Sequence, residues 1–247
     1  MVTKVKKLRD FSIDNKDLIV GLPGMGRVGY VSANHFIRAF KGSLVAEVYS
    51  SYFPPQLIVG KDGISKLFIG QLYDIGKALV FTAETQPPSS EGQNEVCDAL
   101  LNFLMSNGEL RSVVAAAAFV VPQVGSIRKV FVAGNNEGII KDLVSLGAEP
   151  LNEGVITGIN GAIVGWASYY GVPAAVVLGE TWAPIVELDE TDYRAAKRVV
   201  EVISKYLGIE SDTHYMDVAA NSVEGRVVTI LKRATPEKAK EERREVL

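Results

Sequence analysis

The sequence predicts a single-domain α/β protein in which helices cover both faces of a mixed, mostly parallel sheet. Short apolar runs alternate along the chain with longer runs in which apolar residues recur at helical spacing, as in domains built from parallel strands and crossover helices. Residues 112–121 are apolar almost throughout, which is typical of a strand buried on both faces. No linker rich in Pro, Gly or Ser divides the 247 residues, so we expect one domain over 1–233 and a charged tail over 234–247.

The separate elements follow from the apolar period and from turn residues. Strands are predicted at 18–21, 44–49, 56–59, 65–71, 78–84, 112–120, 129–133 and 174–179. Helices are predicted at 28–40, 91–107, 137–146, 161–170 and 192–207. The runs 56–59 and 65–71 flank Lys61-Asp-Gly63, a hairpin signal that makes the expected sheet mixed. The tail over 234–247 is mostly charged and is expected to be a solvated helix or a partly disordered arm.

Composition and charge exclude several classes of protein. The net charge of −3 argues against a general nucleic-acid binder, which needs a basic face. No apolar run approaches the ~20 residues that span a bilayer, and no apolar core of a signal peptide follows the basic residues at the start. The chain has one cysteine, Cys97, and no histidines at ligand spacing. We therefore expect a cytoplasmic protein with no disulfide, metal site or bound cofactor.

Residues 21–29, Gly-Leu-Pro-Gly-Met-Gly-Arg-Val-Gly, form a glycine-rich turn between the first predicted strand and the first predicted helix. Gly24, Gly26 and Gly29 satisfy G-x-G-x-x-G, a spacing that brings backbone N–H groups close to an anion at a helix N-terminus. Two interpretations stay open: an anion site, or glycines that only allow a tight turn and close packing of helix on sheet. A nicotinamide oxidoreductase is disfavoured, because the acidic residue at the expected offset, Glu47, lies inside its predicted strand.

Polar residues follow two further predicted strands. Glu84 and Gln86 come after one strand, and Glu180, Thr181 and Trp182 come after the last, and loops in these positions form the ligand crevice of open α/β sheets. The alternatives are a helix cap for the first segment and an oligomer contact for the second, since Trp is favoured in contact cores. Whether Glu84 and Glu180 form a carboxylate pair stays open, and no catalytic residue is assigned. The predicted ligand-binding residues are Gly24, Gly26, Arg27, Glu84, Gln86, Glu180 and Thr181.

Five segments resemble, in this order, segments of the proteasome assembly chaperone 2 family. They are residues 21–29, Phe53-Pro-Pro-Gln56, the helix start containing Gly92, Thr157-Gly-Ile-Asn-Gly161 and Gly179-Glu-Thr-Trp182. The resemblance extends over residues 17–207, and the family contains proteasome assembly chaperones and their archaeal homologues. It implies a fold similar to that of nucleoside phosphorylases and a homo-oligomeric binding protein with no established enzyme activity.

The resemblance also implies proteasome α-subunits as partners. Family members that dock on α-subunit rings can do so with a C-terminal hydrophobic–Tyr–any tripeptide, whereas this sequence reads Glu245-Val-Leu247 there and lacks the tyrosine. We expect Val246 and Leu247 to supply partner binding. A second function also agrees with the sequence: an enzyme or sensor of phosphorylase-like fold that binds an anion or nucleotide at the glycine turn.

Overall fold

The computed structural model describes the backbone of residues 3–241 and the side chains of residues 3–233. The strands are β1 (Lys4–Lys7), β2 (Lys16–Val20), β3 (Ser43–Tyr49), β4 (Leu57–Val59), β5 (Ser65–Leu67), β6 (Gly70–Asp74), β7 (Ala78–Ala83), β8 (Leu110–Val121), β9 (Val130–Gly134), β10 (Glu149–Pro150) and β11 (Ala174–Trp182). The helices are α1 (Val28–Ala39), α2 (Ser90–Met105), α3 (Glu137–Ser145), α4 (Ile159–Tyr169), α5 (Ala183–Glu187), α6 (Tyr193–Leu207) and α7 (His214–Glu241).

One large sheet has the strand order β1-β3-β6-β7-β2-β8-β11-β9-β10. Its four central strands, β7, β2, β8 and β11, are parallel to one another. On one side β6, β3 and β1 continue the sheet in antiparallel fashion, and on the other side β9 is antiparallel to β11 and parallel to β10. A mixed sheet with a parallel centre confirms the predicted fold class, while the likeness to nucleoside phosphorylases stays a prediction.

Helices cover both faces of this sheet, and each face has its own apolar core. Val20 packs with α2 and α4 on one face, where Leu101 is fully buried. Ile19 packs with α1, α3 and α6 on the other, where Phe36 is fully buried. Neighbouring residues of β2 thus enter opposite cores, as the two-residue period of a strand requires. The buried residues of β8 divide between the two cores in the same way, so the predicted burial of this strand on both faces is confirmed.

Three helices begin at a polar residue whose side chain caps the first turn. The side chain of Ser89 accepts a hydrogen bond from the backbone N–H of Gly92, and Asn136 caps the start of α3. Asp192 accepts a hydrogen bond from the backbone N–H of Ala195 at the start of α6. Such caps satisfy backbone donors that have no partner within the helix, and they fix where each helix begins.

β4 and β5 form a separate antiparallel hairpin, which confirms the predicted turn at residues 61–63. The predicted strand over 65–71 was wrong in one respect, because it divides into β5 and β6. The break lies where the chain passes from the exposed β5 to the body of the protein, at the buried Ile69. β6 then pairs with β3 and β7 in the main sheet.

The long helix α7 is the largest element that the sequence analysis did not predict. It begins at His214, so the expected boundary between residues 233 and 234 falls inside a helix. The described part of α7 buries a stripe consisting of Met216, Ala220, Val223 and Val227. β1, β10 and the short α5 were also not predicted. Residues 242–247, the last part of the predicted tail, lie outside the described residues.

Candidate functional site

The loops that follow the four parallel strands lie at one end of the sheet, because the C-terminal ends of parallel strands lie together. A cavity of about 520 Å³ opens at this C-terminal end of the strands, between the glycine turn, the end of β8 and the loop before α4. Gly24, Met25, Gln86, Phe119 and Asn160 contribute to its lining. No ionisable side chain is among the lining residues in the described part of the chain. Polar contacts in this cavity therefore come from amide side chains, from the hydroxyl of Thr157 and from the backbone.

Two amide side chains tie the glycine turn to the start of α4. Gln86 donates a hydrogen bond to the carbonyl oxygen of Pro23 and accepts one from the backbone N–H of Ile159 at 2.9 Å. The buried Asn160 accepts a hydrogen bond from the backbone N–H of Leu22 at 3.1 Å and donates one to the carbonyl of the same residue at 3.2 Å. Because these bonds fix two walls of the cavity, its shape is set before any ligand enters.

The three glycines of the G-x-G-x-x-G spacing have different surroundings. Gly26 has φ +57, and a Cβ there would lie 2.9 Å from Cγ2 of Thr181. A Cβ at Gly29 would overlap the carbonyl oxygen of Ala116 in β8. At Gly24 the nearest atom to an added Cβ is 3.8 Å away. Turn geometry and packing therefore explain Gly26 and Gly29, and only Gly24 faces open space at the cavity.

Arg27 and Thr181 support the glycine turn and do not line the cavity. The guanidinium of Arg27 donates hydrogen bonds to the carboxylate of Asp189 at 2.9 Å and to its carbonyl oxygen at 3.0 Å. Thr181 is fully buried and donates a hydrogen bond to the carbonyl oxygen of Gly179 at 2.9 Å. These contacts give both side chains partners within the chain, and their role in ligand binding stays a prediction.

Glu84 and Glu180 both lie at the C-terminal end of the parallel strands, but far from each other. Glu84 forms an exposed ion pair with Lys66 at 2.9 Å, and Glu180 accepts a hydrogen bond from the backbone N–H of Lys129 at 3.1 Å. β2 and β8 lie between β7 and β11, which separates the two carrier strands by about 14 Å at ~4.8 Å per strand. These carboxylates do not form a pair for acid–base chemistry, and neither lines the cavity.

A buried charge cluster, which the sequence analysis did not identify, joins the loop before β9, the start of α6 and the helix α7. Arg128 is 2% exposed and lies 3.6 Å from the carboxylate of Asp192 and 2.9 Å from that of Glu224. Arg194 contacts the same Glu224 at 2.9 Å. Burial raises the pKa of the Asp192 carboxyl, although this group also accepts a hydrogen bond from the backbone N–H of Trp182. Arg128, Asp192 and Glu224 are far apart in sequence, so no local pattern could have revealed the cluster.

Two further titratable side chains, those of His35 and Cys97, are buried and have structural roles. His35 is buried with Nε2 2.8 Å from the hydroxyl of Ser211, its ring stacks on Tyr215, and burial lowers its pKa. Cys97 is buried, and burial raises the pKa of its thiol. Among the described residues there is no group of three or more His, Cys, Asp or Glu that could hold a metal ion. The same part of the chain has no helix long and apolar enough to cross a membrane.

The predicted partner-binding residues, Val246 and Leu247, lie outside the described residues. The structure therefore tests neither their contacts nor their exposure, and their role stays a prediction.

The sequence of this chain is similar to a known family over most of its length. The model of the PAC2 family matches residues 18–230. A relative from Methanocaldococcus jannaschii, protein MJ1210, is 28% identical over 232 residues, which cover 92% of this chain and 88% of the relative. These matches confirm the resemblance found in the sequence.

Two solved structures from Pyrococcus furiosus have closely similar folds. PbaB, described as an archaeal proteasome activator, has a TM-score of 0.83 and 26% identity, with 93% of this chain and 98% of PbaB covered. PbaA, described as an archaeal homolog of proteasome-assembly chaperone, has a TM-score of 0.78 and 27% identity, with 97% of each chain covered. The similarity thus extends over nearly the whole of all three chains.

Proposed function

We propose that this chain, which belongs to the PAC2 family, is a cytoplasmic homo-oligomer that acts as a proteasome assembly-chaperone-like factor and binds proteasome α-subunits. The observation that carries the proposal is the similarity to PbaB and PbaA over almost the full length of each chain. The descriptions of both proteins name the proteasome or its assembly, and this supports a proteasome-related partner for the present chain.

The proposal of a homo-oligomer is supported by exposed apolar side chains, although not by Trp182, which the sequence analysis considered as an oligomer contact. Trp182 packs beside the buried Ile185 within its own chain. In contrast, Tyr169 is large and strongly exposed, and its ring contacts the rings of Trp166 and Tyr170. Exposed apolar groups of this kind mark interaction surfaces when they cluster.

Removal of residues 245–247 tests the proposed mode of α-subunit binding. The full chain should bind proteasome α-subunits from the same organism in a pull-down, and the shortened chain should bind them more weakly. Oligomeric mass and thermal stability should be nearly unchanged, because the buried residues of the described part of α7, Met216, Ala220, Val223 and Val227, are all retained. A matched control replaces Lys232 and Arg233, which are exposed at the end of the described side chains, by Gln. If the full chain does not bind α-subunits at all, the assembly-factor proposal is wrong.

Binding of a small ligand in the cavity at the glycine turn is a second candidate function. The observation that favours it is the cavity of about 520 Å³, a volume within the ~300–1,000 Å³ usual for small-molecule sites. The open position at Gly24 and the N-terminus of α1 would favour an anion or the phosphates of a nucleotide.

Gly24→Asp is the appropriate test of this candidate, because the new side chain has room and places a negative charge at the proposed site. Gly26→Asp is less informative, since φ +57 and the contact with Thr181 make it destabilising in any case. Calorimetry with inorganic phosphate and ATP should detect binding to the unaltered protein and not to Gly24→Asp. Equal affinities for both proteins, or no affinity in either, would remove this candidate.

A further inference from the structure

A second cavity, which we call the α7 cavity, lies between the loop after β8, the end of β11, α6 and α7. Its volume is about 630 Å³, and it is lined by residues 123–126, Arg128, Trp182, Arg194, Glu224 and Val228. It shares no lining residue with the cavity at the glycine turn. Its volume falls within the ~300–1,000 Å³ usual for small-molecule sites, so the α7 cavity has room for more than a single ion.

The charged side chains that line the α7 cavity carry an excess of positive charge. They are the guanidinium groups of Arg128 and Arg194 and the carboxylate of Glu224. Both arginines bond to this one carboxylate, Arg128 through Nη2 at 2.9 Å and Arg194 through Nε and Nη2 at 2.9 Å each. Two guanidinium groups against one carboxylate leave one positive charge in the lining uncompensated.

The remaining carboxylate of the buried charge cluster, that of Asp192, does little to compensate this charge. Asp192 does not line the cavity and is 1% exposed. Its oxygens accept hydrogen bonds from the backbone N–H groups of Ala195 at 2.9 Å and Trp182 at 3.1 Å. It lies 3.6 Å from Arg128, which is too far for a hydrogen bond. This carboxylate therefore caps α6 and is a weak partner for Arg128.

The guanidinium of Arg128 has a buried donor without an acceptor. Only 2% of its side chain is exposed, and Nε has no hydrogen-bond partner within the described part of the chain. Buried donors in folded proteins nearly always have an acceptor, and a buried charge is costly unless it is paired and hydrogen-bonded. The cluster is therefore short of negatively charged oxygen atoms.

The lining favours a carboxylate over other anions. The fork of N–H donors in arginine matches the oxygens of a carboxylate or of a phosphate. One uncompensated positive charge balances a monoanion, whereas Glu224 in the lining repels the second charge of a phosphate dianion. Trp182 and Val228 add apolar surface to the same lining, which suits an apolar group attached to the carboxylate.

We propose that the α7 cavity binds a small carboxylic acid with an aromatic or aliphatic body. The carboxylate lies at Arg194, whose side chain is 26% exposed, and the body lies against Trp182. Arg128 supplies a second positive charge from its buried position. This site is separate from partner binding and from the glycine turn, so it goes beyond the proposed function.

Trp182 gives a readout that is specific to this site. The chain has two tryptophans, and the other, Trp166, lies in α4 and is not a lining residue. In the variant Trp166→Phe, titration with phenylacetate and with hexanoate should change the emission of Trp182 saturably, with dissociation constants in the millimolar range or below. The neutral amides of both acids should bind at least ~10-fold more weakly, because they lack the charge that strengthens a hydrogen bond to arginine. Calorimetry with the unaltered protein should give the same order of affinities.

Gln123→Glu tests the position of the bound carboxylate, because it adds a negative charge to the lining with almost no change in size. Repulsion should raise the dissociation constant of phenylacetate at least ~10-fold. The matched control is Gln56→Glu, which makes the same change at an exposed residue before β4 and should leave the affinity unaltered. Arg194→Gln removes the uncompensated positive charge and should abolish saturable binding.

Three results would each overturn the carboxylate site. They are no saturable binding of either acid to the unaltered protein, amides that bind as tightly as the acids, and equal affinities of Gln123→Glu and Gln56→Glu for phenylacetate. None of these results bears on binding to proteasome α-subunits, so the site can fail while the proposed function stands.

Discussion

At the scale of single residues, the glycine turn shows how one sequence spacing serves two purposes. Gly29 allows α1 to approach β8 so closely that its Cα faces the carbonyl oxygen of Ala116. Gly24 has no such neighbour and borders the cavity. The spacing G-x-G-x-x-G could locate the turn from sequence alone. It could not assign these roles, because Ala116 is 87 positions from Gly29 in the printed sequence.

Gly29→Ala should destabilise the protein by about 2 kcal/mol, because the added methyl overlaps backbone that cannot move without disturbing the sheet. The matched control is Gly225→Ala in α7, where nothing lies within 4 Å of the added Cβ. There the substitution should stabilise by about 0.5–1 kcal/mol, the usual advantage of Ala over Gly inside a helix. Denaturant unfolding of both variants measures the two changes. A stabilised Gly29→Ala would show that the close approach is not a constraint.

The predicted ligand residues also show the limit of reading single positions. Glu84 follows β7, whereas Glu180 lies inside β11, which extends to Trp182 and does not end at residue 179 as predicted. Both nevertheless lie at the C-terminal end of the parallel strands, as the sequence predicted. The order of strands across the sheet decides their separation, and that order depends on contacts between distant segments. Gln86, predicted on the same grounds as Glu84, does reach the cavity.

At the scale of elements, α7 was missed because its sequence does not favour a helix locally. Its first 20 residues include Gly225 and several β-branched residues, which have low helix propensity. Val218 and Ile230 are exposed and lie off the buried stripe, so they obscure its helical period. The helix is stabilised by tertiary contacts with α5 and α6, including the ion pair of Asp217 with Lys197 at 2.6 Å.

We expect the buried charge cluster to contribute to the free energy that docks α7 on the rest of the chain. Glu224→Gln leaves Arg128 buried with only Asp192 as a charged partner at 3.6 Å. Removing one partner of a fully buried pair costs ~3–5 kcal/mol, and because Glu224 is 26% exposed we expect about 2–3 kcal/mol here.

Glu190→Gln is the matched control for this variant, because Glu190 pairs with Arg226 of α7 at the surface. Exposed pairs of this kind contribute less than ~1 kcal/mol. Denaturant unfolding compares the two variants, and limited proteolysis reports whether α7 detaches first in Glu224→Gln. Equal losses in both variants would mean that the buried cluster has no special role in docking α7.

At the scale of the whole molecule, the alternation of apolar runs was enough to predict the class of fold. The β4–β5 hairpin could be predicted as well, because its turn residues are local. The two edge strands could not be predicted from the sequence, because β1 is a lysine-rich strand of four residues and β10 has only two residues. Such short edges become strands only through pairing with β3 and β9. The parallel centre, which is the best predicted part, is also the part that positions the cavity.

Native mass spectrometry of this chain mixed with proteasome α-subunits tests the central claim most directly, because it detects self-association and partner binding in one spectrum. The account predicts complexes whose mass equals that of the α-subunit assembly plus two or more copies of the 26.7 kDa chain. α-subunits and this chain appearing only as separate species, at concentrations where each is folded, would contradict it.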